Sequence, residues 1–115
     1  MEITIEQRAS VTVVAMTGSI DALTADTLVA ALSAELAAGK SHLVAAMAGV
    51  DYTSSAGLRV LLGTVKEARR RGGDLRLAEV QERVHRVLEL SGFTGILQCY
   101  PDVPSAVESF AGRPA

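Results

Sequence analysis

Leu43-Val44-Ala45-Ala46-Met47-Ala48-Gly49-Val50-Asp51-Tyr52-Thr53-Ser54-Ser55-Ala56-Gly57-Leu58 is the stretch from which the fold of this chain follows. Leu43 to Met47 is wholly apolar and bounded by Lys40-Ser41 and Gly49, the pattern of a strand covered on both faces and central in its sheet. Beyond the serines the apolar period changes. Leu58, Leu61, Leu62, Val65 and Ala68 fall on one helical stripe, opposite Arg59, Lys66 and Arg70. A buried strand that turns through serines into an amphipathic helix is one half of a parallel strand–helix–strand unit.

The same alternation continues in both directions. Gly72-Gly73 ends the helix, Leu75 to Ala78 reads as a further strand, and Val84, Val87 and Leu88 mark a third helix. Ile96 to Tyr100 reads as a last strand. Asp102 and Pro104 then introduce a short helix carrying Ala106, Val107 and Phe110, and Gly112 to Ala115 reads as a frayed tail. Upstream, Ile3 and Ile5 alternate with polar neighbours, and Val11 to Met16 follows a polar Gln7-Arg8-Ala9-Ser10 turn, which predicts an N-terminal β-hairpin. Leu28, Val29, Leu32 and Leu36 form a first helix, with Thr24 as its N-cap and Gly39 at its end. The fold class is therefore α/β: a mixed β-sheet with an N-terminal hairpin and later parallel strands, joined by right-handed crossovers and packed against about four helices.

A length of 115 residues suits one domain, 1–115, with a core spanning about 3–110. Hydrophobic residues make up 49% of the chain, ample for a buried core. The net charge of −2, from 13 acidic and 11 basic residues, provides no global field for nucleic acid or an anionic membrane. Cys99 is the only cysteine, so neither an internal disulfide nor a cysteine-based zinc site can form, and a reducing compartment is expected. Met1 to Glu6 lacks a secretory leader, and the longest apolar runs fall well short of the roughly 20 residues of a membrane span. The expectation is a cytoplasmic protein that engages neither membrane nor nucleic acid.

Ser54 and Ser55 stand where a helix begins, and there the first backbone N–H groups lack intrahelical partners. A hydroxyl can cap the helix, which is the commoner use of such serines. A phosphoryl group is also favoured there by the free donors and the helix dipole. It would add about two negative charges to a surface loop and repel a partner docked on the neutral form.

The stretch Gly49 to Leu62 resembles the signature of STAS domains in bacterial anti-sigma-factor antagonists. Gly18-Ser19-Ile20-Asp21 resembles the family's element before the first helix. Gly73-Asp74-Leu75-Arg76-Leu77 and Arg83-Val84-His85-Arg86-Val87-Leu88 resemble its later half, so the likeness runs from about Ile3 to Phe110. In that family the unphosphorylated antagonist binds an anti-sigma factor that is also a serine kinase of the histidine-kinase-like ATPase type, frees a sigma factor, and is switched off by phosphorylation. Carried over, the resemblance implies Ser55 as phosphoacceptor with Ser54 as fallback. It implies a partner-binding surface of Asp21, Thr53, Ser54, Ser55, Ala56, Gly57 and Arg59, with a serine phosphatase as second partner. Two positions depart from the common pattern. Ala56 aligns with the usual phosphoserine, and Ala46 stands where many members carry an aspartate.

Other candidates are weaker. His42 and His85 are far apart and lack a cysteine or carboxylate cluster for a metal. Cys99 falls in an apolar strand pattern and is expected as buried filler. Arg69-Arg70-Arg71 offers a phosphate patch or, more commonly, a basic last helical turn. Nucleotide-binding glycine motifs are absent, and no cofactor is expected. The alternatives are a non-switching STAS scaffold or transport-associated subunit, and a small flavodoxin-like enzyme.

Overall fold

In the computed structural model, which describes residues 1–111, the apolar run ending at Met47 is the middle of five strands. The elements in chain order are β1 (Glu2–Arg8), β2 (Val11–Thr17), α1 (Ala25–Ala37), β3 (His42–Gly49), α2 (Ser55–Arg70), β4 (Asp74–Ala78), α3 (Glu82–Leu90), β5 (Cys99–Tyr100) and α4 (Val103–Glu108). Spatial order equals chain order, with β1 antiparallel to β2 and all later neighbours parallel. The mixed α/β sheet with an N-terminal hairpin is thus as the sequence predicts. The frayed-tail expectation for 112–115 lies outside the described residues.

β3 is apolar throughout because both its faces are covered. Leu43, Ala45 and Met47 pack with Leu28, Leu32 and Leu36 of α1, Leu58, Leu61 and Val65 of α2, and Val84 and Leu88 of α3. Val44 and Ala46 face the other way, toward Ala106 and Phe110 at α4. Each fully buried leucine contributes about 2 kcal/mol by its removal from water, so the helix stripes, rather than intrinsic helix propensity, fix this packing. The departure at position 46 is thereby placed. Ala46 lies on the α4 face, 8% exposed among apolar residues, where an unpaired carboxylate would be costly.

Three expectations are corrected. The last strand is Cys99–Tyr100 rather than Ile96–Tyr100, because Ile96 and Leu97 instead turn back to hydrogen bond with the Phe93 carbonyl. Cys99 is exposed, not buried filler, since that two-residue strand lies at the sheet edge; partial desolvation still pushes its thiol pKa up, away from a reactive thiolate. The first helix is not capped by the Thr24 side chain; Asp21 performs that task, as described below.

β4 alternates as a half-exposed strand would, yet Asp74 and Arg76 are buried. α4 covers that face. Asp74 accepts hydrogen bonds from Arg69 and Arg76, while Arg76 donates to Ser109 and lies 4.1 Å from the centre of the Phe110 ring, on which His42 also stacks. Arg70 and Arg71 pair with Glu67, whose carboxyl is lowered to about 2 by these two guanidinium partners. The triple arginine is therefore consumed in local pairing, as a basic last turn, rather than presented as a phosphate patch. His85 lies beside Glu89 on α3. Among the described residues no group of His, Cys, Asp or Glu is placed to hold a metal ion, and no helix is long and apolar enough to cross a membrane.

Candidate functional site

Parallel β2 and β3 deliver two loops to the same end of the sheet, residues 18–24 and 50–54. Ile20, fully buried, stitches them together: its N–H donates to the Tyr52 carbonyl at 2.9 Å, and its own carbonyl accepts from Ser54 N–H at 2.8 Å. Ile20 also forms an isolated parallel bridge with Thr53. The β2–α1 and β3–α2 turns are thus one surface, as the carbonyl-end loops of a parallel sheet generally are.

Asp21 closes the first loop. Its Oδ1 accepts from Leu23 N–H at 2.9 Å and Thr24 N–H at 3.1 Å, while its own N–H donates to Thr24 Oγ1 at 2.9 Å. These reciprocal bonds are a capping box, so the turn leading into α1 is satisfied at Asp21 rather than Thr24. The implied docking residue thus has a structural task as well. Asp21→Asn is expected to keep the cap and the melting temperature, whereas Asp21→Ala costs about 1 kcal/mol in thermal or denaturant unfolding. Partner affinity measured on both variants separates the roles, since an equal loss in both assigns it to the carboxylate charge.

In the second loop the four candidate positions have different surroundings. Thr53 is buried, with its hydroxyl donating to the Ser54 carbonyl. Ser54 is the N-cap of α2: its backbone is extended, and its Oγ accepts from Gly57 N–H at 3.3 Å. Ser55 is the first helical residue and is exposed; Ala56 follows, half-buried. Gly57 is required by close approach rather than flexibility, because a β-carbon there would lie 2.6 Å from Ile20 Cγ2 and 3.0 Å from the Ile20 carbonyl oxygen. Its missing side chain lets the start of α2 seat against the other loop.

Around Ser55 the surface is mixed. Arg59, one turn along α2, is exposed at the i+4 position, the spacing at which helical side chains meet. Asp51 is exposed and accepts from Ser19 Oγ at 3.3 Å. Leu23 and Tyr52 are 90% and 50% exposed, which the sequence reading missed. Leu23 carried a signal: it lies off the Leu28, Leu32 and Leu36 stripe and so had no place in the core. Val29, expected on that stripe, is instead exposed and lines an apolar groove between α1 and α2 with Leu36, Arg59 and Val60. No described residue pairs a nucleophile with a base here; the serines hold caps or face solvent.

Two loops bearing apolar, hydroxyl and charged side chains thus meet at the start of α2, on the carbonyl end of a small α/β sheet. The chain belongs to the STAS domain family, whose model matches residues 2–106. It is 32% identical over 110 residues, 96% of this chain and 95% of that protein, to BtrV of Bordetella bronchiseptica, whose full name is "Putative anti-sigma factor antagonist BtrV". An anti-sigma factor antagonist from Mycobacterium paratuberculosis superposes with a TM-score of 0.85 at 26% identity, covering 94% of this chain and 92% of that one. The fold is shared with the phosphorylated form of the Bacillus cell-fate determinant SpoIIAA, TM-score 0.72 at 16% identity over 94% and 98% of the two chains. The chain is accordingly a regulatory binding protein and not an enzyme.

Proposed function

We propose that this chain is an anti-sigma factor antagonist of the partner-switching kind, which binds its anti-sigma factor when unphosphorylated and is released by phosphorylation of Ser55. The observation that carries the reading is the contrast among neighbouring hydroxyls. Of the three aliphatic hydroxyls in the turn, Ser55 alone is exposed and free of a side-chain hydrogen bond among the described residues, while Ser54 is engaged as a cap and Thr53 is buried. The alignment of Ala56 with the usual phosphoserine shifts the acceptor one position, to the first residue of α2.

The docking surface comprises Asp21, Thr53, Ser54, Ser55, Ala56, Gly57 and Arg59, of which Thr53 and Gly57 act from beneath by holding the two loops together. Leu23 and Tyr52 supply the apolar anchors that a protein partner desolvates. The partner is an anti-sigma factor with serine kinase activity of the histidine-kinase-like ATPase type, acting in the cytoplasm and opposed by a serine phosphatase. Any ATP consumed belongs to that partner.

Incubation with the cognate anti-sigma factor, ATP and magnesium, followed by fragment mass spectrometry, tests the assignment. The expected result is a single phosphate on Ser55 and none on the Ser55→Ala variant. Phosphate on Ser54, or none at all, contradicts it; the latter result favours a non-switching scaffold of the same fold.

A further inference from the structure

The two edges of the sheet are unlike. β5 is two residues long and is followed at once by Pro101, which has no N–H, so that edge is blunted. β1 is seven residues long, unbroken in its register with β2, and contains neither proline nor lysine. Its outer side has no strand beside it among the described residues. An edge of this length and regularity is a template for another strand.

The hairpin register tells which groups are free. Ala9 and Ser10 form the turn, so Arg8 and Val11 are its closing hydrogen-bonded pair, and the same role recurs at every second residue. Glu6, Thr4 and Glu2 therefore direct their backbone groups at β2. Gln7, Ile5 and Ile3 direct theirs outward. Ile3 packs against the main core, whereas Ile5, on the same face, is 46% exposed at the rim.

We propose that β1 pairs antiparallel with β1 of a second copy about a two-fold axis through Ile5, joining two sheets edge to edge. Charge complementarity within β1 fits a second copy of the same strand, and charge together with the length of overlap chooses the register. With the axis at Ile5, Ile3 faces Gln7 and the two Ile5 side chains meet; on the opposite face Glu2 lies across from Arg8 and Thr4 from Glu6. Shifting the axis to Thr4 sets Glu2 against Glu6, and shifting it to Glu6 sets that residue against itself, both like-charge pairs. The outward N–H and C=O groups of Ile3, Ile5 and Gln7 then bond reciprocally, as an isologous contact requires. Arg8, which pairs with Glu6 of its own strand in the single chain, becomes shared with Glu2 of the partner copy. A strand-edge contact is small, so the dimer is weak and concentration-dependent.

Sedimentation velocity from about 10 µM to about 1 mM, with amide hydrogen exchange at both ends of the range, tests this. A dimer is expected at the upper end, with concentration-dependent protection of the Ile3, Ile5 and Gln7 amides. Ile5→Pro removes an outward N–H that β2 does not use and is expected to abolish the dimer while the fold survives by circular dichroism. Arg8→Glu is expected to weaken the dimer about tenfold, and adding Glu2→Arg to restore it. Should Ile5→Pro fail to fold, the charge reversal and its rescue carry the test. A monomer across the whole range, a dimer whose three amides stay unprotected, or one indifferent to both charge variants overturns the proposal.

Discussion

Ser55→Asp is expected to weaken binding to the anti-sigma factor at least about 100-fold while leaving this protein as stable as before, or more so. The two effects have opposite signs because they act on opposite sides of one residue. Inward, a negative charge at the first position of α2 meets the helix dipole, worth about 0.3–1 kcal/mol. It also meets Arg59 one turn on, worth a few tenths more. The melting temperature should therefore hold or rise by about 2–5 °C. Outward, the same charge would stand on the proposed docking surface, and an unpaired charge at a desolvated contact costs several kcal/mol. Ser55→Ala, which removes a hydroxyl with no intrachain bond among the described residues, is expected to keep both fold and binding and to lose only the switch. Thermal denaturation and titration calorimetry on the two variants read these effects separately. A Ser55→Asp protein that is destabilised in proportion to its loss of binding would instead mean that the residue is structural.

The second large effect concerns two glycines of one helix. Gly57→Ala is expected to destabilise the fold by about 2 kcal/mol, because the new methyl runs into Ile20 Cγ2 and its carbonyl and exceeds the gain in helix propensity. That corresponds to a fall of roughly 8 °C in melting temperature. Gly63→Ala, six residues further on where no other part of the fold lies within 4 Å of the added carbon, is expected to stabilise by about 0.5–1 kcal/mol. The same chemical change in the same helix thus reverses sign according to what stands opposite. Gly57→Ala should also lower partner affinity at a temperature where the protein is still folded, since it pushes the serine turn off the loop that carries Asp21. Equal effects of the two substitutions would mean that the seat against Ile20 does not hold the site together.

The order of elements was legible because it rests on period. Leu43 to Met47 has no polar alternation, and Leu58, Leu61 and Val65 repeat at helical spacing; no tertiary information is needed to read either. What escaped the sequence depended on the neighbours each residue acquires. Thr24 and Asp21 are both capping residues, and only the reciprocal bond between them shows which one opens the turn. Asp74 and Arg76 alternate with Leu75 and Leu77, which alone implies a solvent face. The short α4 and Phe110 cover that face, and the two charges survive burial by pairing with each other and with Arg69 and Ser109. Cys99 reads as buried because Ile96, Leu97 and Tyr100 stand near it in sequence, but its exposure follows from the place of β5 at the sheet edge. At the site, the resemblance already ranks Ser55 above Ser54, whereas the surroundings that distinguish them, a cap held by Ser54 and an exposed Ser55, come only from the folded turn.

The most direct measurement is the dissociation constant for the cognate anti-sigma factor, determined by calorimetry with the unmodified protein and with the same protein stoichiometrically phosphorylated at Ser55. Partner switching expects tight binding by the unmodified form and a loss of at least about 100-fold on phosphorylation, about 2.7 kcal/mol, with melting curves that show both forms folded. Equal affinities for the two forms would contradict it.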